Sequence, residues 1–441
     1  MKIRPLTPEI PSDNPFANCK LERKYFANIL TNVIDNSEGG FTMALNGSWG
    51  AGKSTFVKMW QKHLENTGYA TAYLNAWEMD FTEDPLLSIL GEISLLTNKK
   101  FTKFLKSIPK AFLLVTEEKL CNHFGIKNIR NLFNSHRFYD AEIKSHREQK
   151  EAIKQFRTEL QTFIKEQNGD KPLVLFIDEL DRCKPSYAVE FLERIKHFFS
   201  TDNIVFVISV DKKHLAESIK GHYGSDNIDT DEYLRRFFDI EFFLPEPDLK
   251  NFCEHLFYQS NFNEIESDKG KEILLDIVLG LVRNDHVTLR QLEGYISQLK
   301  VCYVTYKELL WMHDLAAFLL FYKLFHPKIY EGLKSSSYSI NDFSKLISDK
   351  YGDDLKTEAF KGPYKMNYLA VHLLFRYNKQ LRNISLISQN PSCKIPEFNF
   401  NPYKIEQMYA HDFIQKLEAI NDGLVLSDLC HLIDISIPNT L

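Results

Sequence analysis

The clearest chemical signature in the sequence is the stretch Gly47–Ser54, which reads GSWGAGKS and fits the pattern G-x-x-x-x-G-K-[S/T]. Glycines at these positions let backbone N–H groups curl around phosphate oxygens, because no Cβ stands in the way. We predict that Lys53 contacts the β- and γ-phosphates of a nucleoside triphosphate and that the Ser54 hydroxyl binds Mg²⁺. The predicted nucleotide contacts are Gly47, Ser48, Trp49, Gly50, Ala51, Gly52, Lys53, Ser54 and Thr55.

The segments on either side of this loop favour the same interpretation. Phe41–Leu45 is an apolar run that predicts a buried strand, and Thr55–Gln61 has helix-forming character without a breaker. A phosphate-binding loop lies between a strand and a helix, and the N-terminus of that helix adds partial positive charge. Because the motif and both flanking elements agree, we prefer a binding site to a chance glycine-rich loop.

A second candidate group is an acidic pair that follows another apolar run. Leu173–Ile177 predicts a buried strand, and Asp178 and Glu179 come directly after it. We predict that Asp178 holds Mg²⁺ behind Ser54 and that Glu179 is the general base that polarises the attacking water. Strand ends often carry acids, so the pair is informative only together with the upstream loop. The pair favours activation of water over a small-molecule kinase.

Two polar residues, Ser209 and Asp211, follow the next apolar run, Ile204–Ile208. Ligands bind at the carboxyl ends of strands in such sheets, so either side chain is a candidate contact for the attacking water or the γ-phosphate. Asp211 is equally well placed to cap a helix that starts at Lys212. Both interpretations of Asp211 stay open at this point.

Three arginines outside the two motifs are candidates for completing the site. Arg235 and Arg236 precede the last predicted strand, where a guanidinium is a candidate arginine finger for the nucleotide of a neighbouring subunit. The alternative for each is a surface ion pair with a nearby acid. Arg290 opens a predicted helix and is a candidate phosphate contact, and the alternative is a solvated arginine in the first turn.

The order of the elements predicts an α/β fold. Apolar strands that alternate with helices are typical of a parallel sheet buried on both faces. The helical block before Leu173 is longer than a minimal connection between two strands requires. We predict a nucleotide-binding core from residues 1–84 and 169–248, a helical insertion at 85–168, a helical lid at 249–330 and a mostly helical region of unknown role at 331–441.

The composition is that of an ordinary globular protein. The 441 residues are 44% hydrophobic and 26% charged, and the formal net charge of −5 gives no overall attraction to nucleic acid or anionic membrane. The seven cysteines are scattered without a C-x-x-C pair, which favours reduced thiols in a cytoplasm. We find no signal segment and no apolar run of membrane-spanning length, so we expect no transmembrane helix.

One local segment, Lys99–Lys110, alternates lysines with apolar residues and predicts a basic amphipathic helix. Two interpretations stay open for it. The first is a solvated helix face over a core stripe, which we favour. The second is contact with an anionic surface, either lipid at the periphery of a membrane or nucleic-acid phosphate.

Together, these residues resemble the KAP family of P-loop NTPases. Members share a Gly-x-Trp-Gly-x-Gly-Lys-Ser/Thr loop, an Asn-x-Trp segment followed by Asp-Pro-Leu, and the sequence Asp-Asp/Glu-Leu-Asp-Arg-Cys. The trailing Asp-Arg-Cys is the specific part, because ordinary P-loop ATPases lack it. The matching segments are Gly47–Ser54, Asn75–Trp77, Asp84–Leu86 and Asp178–Cys183, with further likeness at Asp211, Leu244, Pro245 and Arg290.

The resemblance implies a P-loop NTPase parallel sheet of the additional-strand type, in which Glu179 matches the catalytic acid. It also implies a helical insertion between the two motifs. In many members that insertion carries transmembrane helices, but residues 85–168 are too polar to span a membrane. Bacterial members resemble parts of phage-exclusion or mobile-element defence systems, so we expect the partner to be either a defence-complex protein or, if an arginine finger completes the site, another copy in a homo-oligomer.

We therefore expect a cytoplasmic ATPase that uses ATP and Mg²⁺ and acts as a nucleotide-controlled switch. Two alternatives stay open, a scaffold that binds nucleotide without hydrolysing it and an ATPase that nucleic acid stimulates. Lys53 and the acids Asp178 and Glu179 should meet across adjacent strand tips, where they would enclose one metal-bound triphosphate.

Overall fold

The computed structural model describes most of the chain and divides it into two compact units. The described residues up to Glu246 form the first unit, and those from Pro247 onward form the second. The predicted basic helix at Lys99–Lys110 and the motif residue Asp84 lie outside the described residues. The described residues are 9–81, 85–96, 142–198, 201–262, 265, 268–283, 285–305, 312–356, 369, 373, 376–377 and 425–437.

The first unit is built on a parallel five-stranded sheet with the strand order β2-β3-β4-β1-β5. The strands are β1 Phe41–Asn46, β2 Thr71–Asn75, β3 Leu173–Asp178, β4 Ile204–Val210 and β5 Ile240–Phe243. Strand β4 lies between β1 and β3, which confirms the predicted sheet of the additional-strand type. The expectation that Lys53 and the acidic pair follow adjacent strands was wrong, because β4 separates the two strands that carry them.

The sheet is buried because its strands carry apolar side chains on both faces. Along β3, Leu173, Leu175 and Ile177 belong to one hydrophobic core, whereas Val174 and Phe176 belong to another. Successive side chains of a strand point to opposite faces, so a single apolar run supplies both cores. This double burial holds the carboxyl ends of the strands in fixed relative positions.

Helices of the first unit complete both cores. The helices are α1 Arg23–Asp35, α2 Lys53–Asn66, α3 Ala76–Met79, α4 Pro85–Leu96, α5 Glu142–Asn168, α6 Pro185–Phe198, α7 Lys212–Tyr223 and α8 Thr230–Leu234. The core on the Phe176 face includes residues of α1 and α2, and the core on the Ile177 face includes residues of α4 to α8. A single 3₁₀ turn, Leu180–Arg182, follows β3 directly.

Each secondary-structure element described in the second unit is a helix, as predicted for the C-terminal region. These helices are α9 Leu249–Ser260, α10 Asp268–Arg283, α11 Leu289–Thr305, α12 His313–Phe325, α13 Pro327–Lys334, α14 Ile340–Lys356 and α15 Leu426–Ser436. They share one hydrophobic core, in which the side chains of residues 315–322 are fully buried. Among the described residues, no helix combines the length and the apolarity that crossing a membrane requires.

Candidate functional site

The carboxyl ends of four strands lie level with one another in the sheet. Asn75 of β2 pairs with Asp178 of β3, Asp178 pairs with Ser209 of β4, and Ser209 pairs with Leu45 of β1. Because all the strands run in the same direction, the loop after β1 and the acids after β3 emerge at the same edge of the sheet. Ligands of open α/β sheets bind at this edge.

The loop after β1 has the backbone that its glycines allow. Gly50 and Gly52 have φ angles of 80° and 82°, in the left-handed region that favours glycine. Three loop N–H groups are used within the protein: that of Gly47 donates to the carbonyl of Val210, that of Ala51 to the carbonyl of Ser48, and that of Trp49 to Asp211. No described residue accepts a hydrogen bond from the N–H groups of Gly50, Gly52, Lys53 and Ser54.

These N–H groups lie where helix α2 begins, and the first N–H groups of a helix have no partner within the helix itself. Such groups, together with the helix dipole, form an anion-binding site. The loop therefore fits the phosphates of a nucleotide, although the N–H of Trp49 is already occupied by Asp211. Thr55 is the third residue of the same helix.

The side chain of Lys53 is folded back over this loop. It is 9% exposed, and its Nζ donates to the carbonyl oxygens of Gly47 at 2.6 Å and Ser48 at 3.3 Å. Burial lowers the pKa of Lys53, and the nearby carboxylates of Asp181, Asp211 and Asp178 offset only part of that effect. The predicted phosphate-binding lysine and the acids of β3 and β4 therefore share one electrostatic environment, although β4 separates β1 from β3.

Asp178 is 1% exposed at the end of β3. Its two carboxylate oxygens accept hydrogen bonds of 3.0 Å from the backbone N–H of Glu179 and from the hydroxyl of Tyr73 on β2. Beside Asp178, the Tyr73 phenol is partly buried, and both this burial and the carboxylate raise its pKa, so it stays a proton donor. Tyr73 is thus a supporting residue that the sequence analysis missed.

The oxygen atoms near the loop are of the kind that Mg²⁺ prefers. Mg²⁺ is held by one or two protein oxygens together with waters and substrate phosphates, so it does not require a cage of protein ligands. The described residues contain no group of three or more His, Cys, Asp or Glu that could hold a metal by itself. The Ser54 hydroxyl and the Asp178 carboxylate are oxygen ligands of this kind, and their binding of Mg²⁺ stays a prediction.

Ser209 and Asp211 have different surroundings at the end of β4. Asp211 caps helix α7 by accepting from the N–H of Lys213 at 3.1 Å, so the capping alternative is observed. Ser209 is fully buried beside Asp178, and its hydroxyl has no hydrogen-bond partner among the described residues. A contact of either residue with nucleotide or water stays a prediction.

The three candidate arginines are distant in sequence from the loop and from the acidic pair. Arg235 and Arg236 follow helix α8 and are exposed, and neither forms an ion pair with another residue that the structure describes. Arg290 is exposed in the first turn of α11, after a capping box between Thr288 and Gln291. Arg290 belongs to the second unit, and its predicted contact with nucleotide remains a prediction.

The sequence analysis also missed Arg23, the first residue of α1. Arg23 is 4% exposed, and its guanidinium donates to the carbonyl of Ala51 at 2.6 Å and to that of Gly52 at 3.1 Å. Burial lowers its pKa to about 10, so it stays charged at neutral pH. A signal was present, because Arg23 shares the buried helical stripe of Ala27, Leu30 and Ile34. An arginine on an apolar face indicates a specific partner.

Comparison with known sequences agrees with this site. The model of the family described as the KAP family P-loop domain matches residues 23–306, which is more than half of the chain. The chain belongs to the KAP family of P-loop domains. Because of this family match, the KAP protein is a P-loop NTPase, and members of that class bind and hydrolyse nucleoside triphosphates. No curated protein matches its sequence.

Solved structures similar to this KAP protein include nucleotide-bound and mutant proteins. The Aeropyrum pernix ORC2 protein (ADPNP–ADP complexes) is 13% identical, with 94% of each chain covered and a TM-score of 0.33. A variant of Thermotoga maritima RuvB is 13% identical, with 87% of this chain and 93% of that chain covered and a TM-score of 0.31. A second mutant of the same RuvB protein is 12% identical over the same shares, with a TM-score of 0.33.

Proposed function

We propose that this protein binds ATP with Mg²⁺ and hydrolyses it as a nucleotide-controlled switch. One observation carries the proposal. The N–H groups of Gly50 to Ser54 that have no described acceptor, the buried Lys53 and the buried Asp178 are grouped at one edge of the sheet. Donors and a cation on one side, with a metal-binding carboxylate on the other, form the arrangement that phosphoryl transfer requires.

Each residue has a role in the proposed mechanism. The loop N–H groups and Lys53 bind the phosphates and offset the negative charge that develops on them. Ser54 and Asp178 would hold Mg²⁺, which supplies further charge neutralisation when it is bound. Glu179 orients the attacking water and accepts its proton. Ser209, beside Asp178, is a candidate second contact for that water.

The test is phosphate release by the purified protein with two variants. Lys53→Ala should abolish nucleotide binding, because it removes the only lysine of the loop. Glu179→Gln should bind Mg·ATP as the parent does but release phosphate at least about a hundredfold more slowly, the usual effect of losing a general base. Unchanged turnover in Glu179→Gln would remove Glu179 from the mechanism.

Matched controls are available on the same elements. Lys62→Ala removes another lysine from α2, which forms a partly exposed ion pair with Glu65. Glu190→Gln neutralises an acid on α6 that pairs with Arg194. Both controls should turn over ATP like the parent. If the parent binds Mg·ATP but releases no phosphate, the protein is the non-hydrolysing scaffold instead. DNA- or RNA-stimulated turnover would favour the nucleic-acid alternative.

We also propose that an arginine of a neighbouring copy completes the site. Arg235 and Arg236 support this, because they are exposed and the described residues offer them no ion-pair partner. Specific activity should then rise with protein concentration. The Arg235→Ala/Arg236→Ala double variant and Lys53→Ala should each be inactive alone, and a mixture should regain activity. In such a mixture, the Lys53→Ala copy supplies its arginines to the intact nucleotide loop of an Arg235→Ala/Arg236→Ala copy. A mixture without activity would contradict the proposal.

The output that we propose is a protein–protein event in the cytoplasm, in the phage-exclusion role that the resemblance to bacterial family members implies. The five cysteines among the described residues are all free, which favours a reducing compartment. A host strain that expresses the parent should give a lower efficiency of phage plating. A strain that expresses Lys53→Ala should give the same efficiency as a strain without the protein. Equal plating on both strains would remove the defence role and leave the ATPase untouched.

A further inference from the structure

Asp181 is a buried carboxylate that the proposed reaction does not use. It lies in the 3₁₀ turn after β3, three residues beyond Asp178, and is 6% exposed. Burying a carboxylate is costly unless hydrogen bonds replace the lost water. Its Oδ2 accepts two such bonds, from the indole Nε1 of Trp49 at 2.5 Å and from the backbone N–H of Asp211 at 3.0 Å.

These bonds form part of a closed triangle. The backbone N–H of Trp49 donates to Oδ2 of Asp211 at 3.2 Å, so each of Trp49, Asp181 and Asp211 is bonded to the other two. Trp49 belongs to the loop after β1, Asp181 follows β3 and Asp211 follows β4. The triangle thus connects the chain segments that leave three strands of the sheet.

Trp49 is fixed at both its backbone and its side chain by this triangle. Its ring also stacks on His214 of α7, with a centroid separation of 3.7 Å and an interplanar angle of 16°. The residue is nevertheless 41% exposed, so burial alone does not hold it in place. Trp49 directly precedes Gly50 in the loop, so a fixed Trp49 backbone restrains the peptide groups that follow it.

We infer that Asp181 is a positioning residue, which holds the nucleotide loop in its binding conformation through the indole N–H of Trp49. The inference deepens the proposed ATPase function and rests on it. A loop that is already ordered loses less conformational entropy when phosphate binds, so affinity is higher. The triangle gives a physical reason for a tryptophan in this loop together with an aspartate after the acidic pair.

The main test is a double-mutant cycle with Mg·ATP binding as the readout. Trp49→Phe keeps an aromatic ring but removes the donor, and Asp181→Ala removes the acceptor. Each should weaken binding about tenfold, which corresponds to about 1.4 kcal/mol, or one charge-assisted hydrogen bond. The double variant should bind no more weakly than Asp181→Ala, because that variant has already lost the bond that Trp49→Phe breaks, together with the bond from the N–H of Asp211. Additive losses would overturn the inference.

A conservative variant separates positioning from folding. Asp181→Asn keeps an oxygen that can accept from the indole, so it should recover part of the affinity that Asp181→Ala loses. Asp229→Ala is the matched control, because Asp229 is an exposed carboxylate that accepts the N–H of Glu232 at the start of α8. The control should bind Mg·ATP like the parent. An Asn variant as weak as the Ala variant would contradict positioning through the indole.

Tryptophan fluorescence without nucleotide gives an independent readout. The difference between the emission spectra of the parent and Trp49→Phe gives the contribution of Trp49. Asp181→Ala should shift the wavelength of that contribution, whereas Asp229→Ala should leave it unchanged. An unshifted Trp49 emission in Asp181→Ala would overturn the inference. If Asp181→Ala binds Mg·ATP like the parent while Lys53→Ala does not bind, the positioning role fails and the ATPase stands. If the parent neither binds nor hydrolyses ATP, the proposed function itself fails.

Discussion

Arg182 Nη1 lies 3.2 Å from Oε1 of Glu179, so the acid proposed to activate water is held in an ion pair. The Arg182 guanidinium itself lies over two rings, 5.7 Å from the centroid of Trp49 and 5.9 Å from that of Trp77. Arginine is attracted to aromatic faces, so the two rings orient it. Glu179 has a φ of 60°, a backbone conformation that costs energy for any residue except glycine. An aromatic residue of the nucleotide loop therefore helps to orient Glu179.

Replacing Arg182 with Gln should slow hydrolysis without weakening binding. Glu179 would lose its ion pair with Arg182, which helps to orient its carboxylate, whereas the loop N–H groups and Lys53 would stay in place. We expect kcat to fall about tenfold, equivalent to about 1.4 kcal/mol of transition-state stabilisation, with the Kd for Mg·ATP nearly unchanged. Phosphate release and equilibrium binding measure the two quantities.

The control for Arg182 is Arg194→Gln, which breaks an ion pair of 2.9 Å with Glu190 on α6. This control should change neither quantity. An equal fall of kcat in both variants would show that the effect is general destabilisation. A change in Kd alone would place Arg182 in nucleotide binding.

Replacing Arg23 with Gln should weaken nucleotide binding about tenfold. The guanidinium holds the carbonyls of Ala51 and Gly52, so its loss should let these peptide groups rotate and turn loop N–H groups away from the phosphates. Titration calorimetry with Mg·ADP measures this affinity. Arg157→Gln is the control, because Arg157 donates to the carbonyl of His197, away from the loop. Equal affinity in all three proteins would contradict the role of Arg23.

Gly52→Ala should lower nucleotide affinity through backbone strain. The φ of Gly52 is 82°, and forcing an alanine into the left-handed region costs roughly 1–2 kcal/mol. The loop is expected to relax away from its binding conformation, which raises the Kd for Mg·ATP. Gly91→Ala on α4 is the control, since a Cβ there meets no atom within 4 Å. The control should be more stable by up to about 1 kcal/mol in thermal unfolding, and parent-like affinity in Gly52→Ala would contradict the prediction.

Asp434→Asn should destabilise the second unit. The Asp434 carboxylate lies 2.9 Å from Nζ of Lys323 and 2.7 Å from that of Lys334, and it also accepts from the hydroxyl of Tyr330 at 2.9 Å. The variant leaves the Lys323 ammonium, which is 6% exposed, without its carboxylate. We expect a loss of about 3 kcal/mol in the free energy of unfolding at neutral pH, measured by urea denaturation.

The same group predicts a pH dependence. Burial raises the pKa of Asp434, but hydrogen bonds from Lys323, Lys334 and Tyr330 lower it more, so the pKa lies below its ordinary value. The ion pair therefore stabilises the fold above the unfolded pKa, and the stabilisation is lost as pH falls below about 4. The gap between parent and Asp434→Asn should close at acid pH. Glu254→Gln, in an exposed pair with Lys250, should show no such gap.

Much of the candidate site was predictable because its signals are local. The spacing within Gly47–Ser54 and the apolar runs before it and before Asp178 are short patterns, and each reflects one turn or one strand. The cap that Asp211 forms on α7 was also predicted as one of two alternatives, since a cap depends only on residues next to each other. Arg23 and Tyr73 were missed because their partners are 28 and 105 positions away.

The sequence by itself determined the α/β class, the loop, the acidic pair and the family resemblance, because local chemistry and periodicity specify all of these. The resemblance implied an additional strand, but only the tertiary structure showed that β4 is the strand that separates Lys53 from the acidic pair. The tertiary structure also showed that Asp181 reaches the indole of Trp49, 132 positions earlier. Strand order and such bonds depend on how distant segments pack into two shared cores. No short pattern records that packing, so the partner of a buried carboxylate becomes known only when the chain is folded.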